Sequence, residues 1–73
     1  PSTNVSFVIE TAADIRIQVW DIMGRLITEH QVGNRDSGYH SFPLEAYDWP
    51  SGVYILRVWA GYEFQQNRIT LMK

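Results

Sequence analysis

Apolar and polar residues alternate along most of this chain. A period of two places successive side chains on opposite faces of an extended strand, so each run can bury one face and wet the other. No window of about 11 residues follows the 3.6-residue period of a helix, and residues 11–14 are expected to form a short turn. The alternation therefore predicts strands throughout. Its inward-facing members are Val5, Phe7, Ile9, Ile15, Ile17, Val19, Tyr54, Leu56, Val58, Ile69 and Leu71.

Turn-forming residues separate the alternating runs. Gly24 in the segment 21–25 predicts a hairpin that needs positive φ, and the polar residues 33–38 predict a loop. Pro50-Ser51-Gly52 and Gly61-Tyr62 mark two more turns, while Pro43 favours an edge or crossing strand. The expected strands are residues 4–10, 14–21, 25–32, 38–43, 52–60 and 62–72, with a short further strand around 44–48.

This succession of short strands predicts an all-β fold, an Ig-like antiparallel β-sandwich of about seven strands. The 73 residues are enough for a single domain, residues 1–73. The chain begins at Pro1 without an initiator Met or a signal peptide. We therefore expect it to be the terminal module of a larger secreted protein, covalently linked to an upstream parent domain.

Composition excludes several functional classes. The chain has no cysteine for a disulfide, and its 45% hydrophobic content makes a packed core possible without a metal or a partner. The net charge of −2 argues against binding to nucleic acid, which requires a basic face. No apolar run approaches the roughly 20 residues that span a bilayer.

No residue pattern predicts catalysis, a cofactor or a metal. His30 and His40 fit no metal-ligand spacing and are expected at outward surface positions. Ser37 or Ser41 with Asp36 and His40 supplies the residue types of a triad but no nucleophile elbow. Asn34 and Asp36 are too few for a calcium site. We expect neither an enzyme nor a binder of small-molecule substrates.

Two tryptophans lie on the face of their strands opposite the aliphatic residues. Trp20 and Trp59 could form a sugar-stacking platform or a partner patch. The simpler interpretation is partial burial against long neighbouring side chains, with Tyr62 and Phe64 covering Trp59 across the last hairpin. We favour the simpler interpretation.

Five short motifs follow one another along the chain. They are Pro1-Ser2-Thr3 before the first strand, the hairpin with Asp21, Gly24 and Arg25, Gly38-Tyr39-His40, Pro50-Ser51-Gly52-Val53-Tyr54, and the closing basic pair Arg68 and Lys73. In this order they resemble the type A C-terminal sorting domain of type IX secretion, carried by proteins that Bacteroidetes-type bacteria export. That family is related to the Ig-like domain of flagellar hook-capping proteins. The resemblance covers nearly the whole chain.

The resemblance implies a non-catalytic C-terminal sorting signal that directs a parent protein across the outer membrane. Its implied partners are the outer-membrane secretion machinery and a sortase-like peptidase that often removes the domain, leaving the parent at the cell surface or outside the cell. Its sorting-motif candidates are Pro50, Gly52, Tyr54, Arg68 and Lys73. Two alternatives stay open: an Ig-like or carbohydrate-binding appendage that uses Trp20 and Trp59, and a structural assembly domain.

Overall fold

The computed structural model describes residues 2–72, with side chains from residue 4 onward. Six strands and no helix occupy this part of the chain. They are β1 (Ser2–Ile9), β2 (Ala13–Asp21), β3 (Leu26–Arg35), β4 (Gly38–Glu45), β5 (Gly52–Ala60) and β6 (Glu63–Leu71).

The strands form two sheets in which every pairing is antiparallel. The smaller sheet pairs β1 with β4, and the larger sheet has the order β3-β2-β5-β6. Pro43 lies in β4, and in a two-stranded sheet each strand is an edge, as proline requires. The prediction of an all-β antiparallel sandwich is confirmed, with six strands in residues 2–72 where about seven were expected.

The core lies between the two sheets and is built by the alternating aliphatic residues. Ile17 and Val19 of β2 are fully buried, and they pack in one cluster with Val5 and Phe7 of β1 and Leu44 of β4. Ile69 and Leu71 of β6 are half-buried at its margin. The inward face predicted for each run is therefore the buried face.

Two elements differ from the sequence prediction. The expected short strand around 44–48 does not form: β4 extends to Glu45, and a turn follows in which the Trp49 N–H donates to the Ala46 carbonyl oxygen (3.3 Å). The polar segment 33–38 was predicted as a loop, but β3 continues to Arg35, so only residues 36 and 37 connect β3 to β4.

A β-bulge at Gly33 explains the longer strand. Ile15 pairs with Gly33 whereas Arg16 pairs with Gln31, so Val32 has no residue opposite it. Gly33 has a φ of 93°, a conformation that favours glycine. The bulge allows the polar end of β3 to stay paired with β2.

Candidate functional site

Three of the sequence motifs meet at one end of the larger sheet. Asp21 at the end of β2 pairs with Tyr54 in β5, and Tyr54 pairs with Ile69 in β6. We call this region the motif end; it comprises residues 21–25, 50–54 and 68–71. Motifs that are far apart in sequence therefore form one continuous surface.

The Asp21 carboxylate organises the hairpin between β2 and β3. Its Oδ1 accepts hydrogen bonds from the backbone N–H groups of Met23 and Arg25, both at 2.9 Å. Its Oδ2 accepts from Arg25 Nε at 2.7 Å. Gly24 lies in the turn with a φ of 85°, which confirms the predicted positive φ. Each of the three residues thus has a defined part in the local structure.

These hydrogen bonds lower the pKa of the Asp21 carboxyl. The backbone N–H of Arg25 holds the pKa of the Asp21 carboxyl below its ordinary value, aided by the Arg25 side chain and the Met23 N–H against a smaller opposing effect of burial. A hydrogen bond to the charged form favours that form. The hairpin therefore carries an internally neutralised ion pair.

Tyr54 ties the start of β5 to the turn before it. Its hydroxyl donates to the Pro50 carbonyl oxygen at 2.6 Å, and its ring packs against Trp49 with centroids 5.2 Å apart. The ring is buried in the core. Gly52 begins β5 opposite Leu71. The spacing of Pro50, Gly52 and Tyr54 thus produces a tight corner before β5, closed by the hydrogen bond from the Tyr54 hydroxyl to the Pro50 carbonyl oxygen.

The closing basic pair is only partly described. Arg68 is exposed on the outer face of β6, where its side chain makes no hydrogen bond, ion pair or ring contact with the described residues. Lys73 and Pro1 lie outside the described residues. Arg68 at least is free to meet a partner.

The Gly38-Tyr39-His40 motif lies away from the motif end. Gly38 pairs with Ile9 at the start of β4, in the other sheet. The His40 ring stacks on Phe7 (5.6 Å) and its Nε2 donates to the Asp36 carbonyl oxygen (2.7 Å). His30 packs on Phe42 (5.2 Å). The prediction that both histidines are outward surface residues is wrong: each is half-buried at the margin between the sheets.

Both tryptophans are half-buried on the outer face of the larger sheet, as the simpler interpretation predicted. The Arg16 guanidinium lies over the Trp59 ring (5.0 Å to the centroid), and Phe64 packs beside that ring (4.7 Å). The Arg57 guanidinium lies over Trp20 (5.6 Å). Tyr62 is fully exposed, so the expectation that it covers Trp59 is wrong. Occupied ring faces weigh against a sugar platform.

Sequence reasoning missed two residues that organise this face. The Gln18 side-chain oxygen accepts from Trp59 Nε1 (2.9 Å) and Trp20 Nε1 (3.3 Å), while its nitrogen donates to Glu29 (2.7 Å). Arg57 bonds to Gln66 across β5 and β6. The sequence shows only a glutamine at an outward position between Ile17 and Val19, and its burial and partners follow from the cross-strand register.

No cluster of three or more His, Asp or Glu side chains that could hold a metal ion occurs in the described part of the chain. Within residues 2–72, no helix is long and apolar enough to cross a membrane.

The fold and the motif end define a class: a small antiparallel β-sandwich that presents short signature motifs at one end of its larger sheet. The family model of the secretion system C-terminal sorting domain matches residues 1–72. The chain belongs to this family. Searches of curated proteins and of solved structures gave no significant match. As a type IX sorting signal it directs export across the outer membrane to the cell surface or beyond, which entails contact with the secretion machinery and attachment to a parent protein.

Proposed function

We propose that the motif end is the surface of the sorting signal that the translocation machinery reads. The observation that carries this proposal is the register of β2, β5 and β6, which aligns Asp21, Tyr54 and Ile69 across three strands. In the same region Arg68 presents an exposed guanidinium with no partner among the described residues. Lys73 follows β6 in sequence and is the second basic residue of the proposed contact.

The contacts within the motif end separate residues that shape it from residues that are left to bind a partner. Asp21, Gly24 and Arg25 shape the hairpin, and Pro50, Gly52 and Tyr54 shape the corner before β5. Their polar groups are already engaged within the protein. We assign direct recognition to Arg68 and Lys73. The exposed Arg68 can meet an acidic partner without breaking an internal bond, and Lys73 adds a second positive charge close to it in sequence.

We also propose that the domain is non-catalytic and that a sortase-like peptidase removes it after export, with the parent anchored to the surface or released. Removal leaves the fold of the parent unaffected if the sandwich is a separate unit. The buried core formed by residues of both sheets supports that view, since the domain encloses its own hydrophobic cluster.

Export of a fused passenger tests the proposal. In a host with type IX machinery, replacing Arg68 and Lys73 together by Ala is expected to trap the passenger in the periplasm. Arg68 is exposed and neither substitution removes an apolar side chain, so the pair should alter the free energy of unfolding by no more than about 0.5 kcal/mol. Mass spectrometry of the exported wild-type passenger checks the peptidase step, because cleavage would remove the 73 residues.

Arg35→Ala is the matched control. Arg35 is exposed at the opposite end of the larger sheet, and among the described residues its side chain donates only to the Asn34 carbonyl oxygen. It should export normally. Normal export of the Arg68 and Lys73 variant would show that those charges are a solvated strand end and not a recognition site.

A further inference from the structure

A groove of 480 Å³ runs over the outer face of the larger sheet at the motif end. It lies between the tip of the β2–β3 hairpin and the outward residues of β5 and β6. Apolar side chains form one part of its wall and arginines form another. The residues that matter for the argument are Trp20, Ile22, Val53, Ile55, Arg57 and Arg68.

Arg57 is held in a fixed orientation inside this groove. Its Nε and Nη2 both donate to Gln66 Oε1, at 3.0 and 2.8 Å. Its guanidinium also lies over the rings of Trp20 (5.6 Å) and Phe64 (4.8 Å). A guanidinium has five N–H donors in a planar fork. Three donors therefore stay available on a group whose ordering entropy is already lost.

Arg68 is the diagonal neighbour of Arg57 on the same face. Arg57 pairs with Gln66, and Arg68 is two residues further along β6. Diagonal neighbours across an antiparallel pair have Cα atoms about 7–8 Å apart. Neither arginine has a carboxylate partner among the described residues. Asp21, the acidic residue that lines the groove, is neutralised by Arg25.

We propose that this groove binds an extended acidic peptide segment of the partner protein. Alternate residues of an extended chain are about 7 Å apart on one side, which is close to the Cα separation expected for Arg57 and Arg68 as diagonal neighbours. Carboxylates at positions i and i+2 of the peptide can therefore each be placed beside one of the two arginines. The apolar wall of Ile22, Val53 and Ile55 then accepts aliphatic side chains further along the peptide. A free phosphate or a sugar would leave that wall uncovered. The inference rests on the proposed function, since the partner is taken to belong to the secretion machinery.

Fluorescence anisotropy with a synthetic peptide tests the inference. The probe is fluorescein-labelled Glu-Ser-Glu-Ser-Val-Ser-Ile, and the comparison peptide has Gln in place of both Glu. We expect the wild-type domain to bind the Glu peptide at least about tenfold more tightly than the Gln peptide, because charge-assisted bidentate bonds are lost in the latter. Binding should weaken as salt is raised.

Substitutions locate the site. Arg68→Gln is expected to weaken binding about fivefold and Arg57→Gln with Arg68→Gln more than about tenfold, whereas Arg35→Gln should change it less than about twofold. The Arg68→Gln variant should fold like the wild type, because the Arg68 side chain makes no internal contact among the described residues. A loss of binding in this variant therefore reports on the site and not on the fold. Equal losses in Arg35→Gln and Arg68→Gln would mean a net-charge effect and would overturn the inference.

Three further outcomes test the inference and the proposed function separately. Arg68-dependent binding to phosphatidylglycerol vesicles without peptide binding would assign the groove to lipid phosphate and overturn the peptide assignment. No peptide binding, together with blocked export of the Arg68 and Lys73 variant, overturns this inference alone. Normal export of that variant overturns the proposed function.

Discussion

At the scale of single residues, the motif end is held together by two polar side chains. Asp21 closes the hairpin through three hydrogen bonds, and Tyr54 closes the corner before β5 through one. Each bond joins residues no more than four apart in sequence. The motifs can therefore keep their local shape while the surrounding sequence varies, and a structural role accounts for most of their residues.

Asp21→Asn is expected to reduce the acid sensitivity of the fold. The pKa of Asp21 is lowered in the folded state, so its ionised form stabilises the protein above about pH 4, its unfolded value. That contribution is lost as the pH falls through the lower folded pKa. Urea unfolding midpoints measured at neutral pH and at about pH 3 should therefore differ less for the variant than for the wild type.

The exposed Asp48 provides the control, since its side chain has no hydrogen bond or ion pair among the described residues. Asp48→Asn should keep the pH dependence of the wild type. An identical acid response in the Asp21 variant would contradict the role assigned to the hairpin carboxylate.

Tyr54→Phe is expected to destabilise the domain by about 1 kcal/mol, the usual net worth of an intramolecular hydrogen bond. The ring and its packing on Trp49 stay, so the slope of urea unfolding should not change. Tyr39→Phe is the matched control: its hydroxyl donates to Ser6 Oγ at 2.9 Å on an exposed face. Equal costs for the two variants would argue against a special role for the corner.

At the scale of elements, the Gly33 bulge sets the length and pairing of β3. Beyond it, Asn34 and Arg35 stay paired with Asp14 and Ala13, and the chain crosses to the smaller sheet through only two residues. Without the bulge, Val32 would pair with a residue of β2, and Gly33, Asn34 and Arg35 would each shift by one residue relative to β2. The bulge therefore fixes where β4 begins.

Gly33→Ala should destabilise the domain by about 1–2 kcal/mol, the cost of a left-handed conformation for an L-residue. An added Cβ would meet only Arg35 Nη1 at 3.9 Å, so crowding contributes little. Gly33→Asn should cost less, because asparagine enters this region more readily. Thermal unfolding of both variants checks this. A loss in Gly33→Asn as large as that in Gly33→Ala, or larger, would contradict the assignment of the cost to backbone conformation.

The strands were predictable because alternation is a local signal that β-pairing preserves. The bulge was not, because the turn formers of residues 33–38 fit a loop as well as a bulged strand. Pairing with residues 13–15 decides between them. The orientation of His30 was missed for the same reason, since it depends on contact with Phe42 in the other sheet. At the site, each motif was visible in sequence, but the register that brings them together was not.

At the scale of the whole molecule, a small core depends on every strand. The larger sheet ends at β6, whose Ile69 and Leu71 pack against the central cluster. A domain of this size buries only about 60% of the surface its unfolded chain exposes. Losing part of one strand therefore removes a large fraction of the domain's free energy of unfolding.

Deletion of residues 68–73 should abolish cooperative unfolding, measured by circular dichroism on heating. It removes four residues of β6 and two half-buried aliphatic side chains, each worth up to about 2 kcal/mol at partial burial. The Ala substitutions at Arg68 and Lys73 keep the apolar residues and should unfold like the wild type. A cooperative transition in the deletion would show that the last four residues of β6 are dispensable for folding.

The order of strands in the two sheets also determines when, during synthesis of the chain, the sandwich can form. β2 is made early, yet its central partner β5 comes from residues 52–60, and β1 waits for β4. Before then, the nascent chain can form little more than the β2–β3 hairpin, and an isolated hairpin is marginal in water. The sandwich can be completed only after the residues of β6 have been synthesised. A parent protein that is sorted by this folded signal is therefore synthesised before its sorting signal can form.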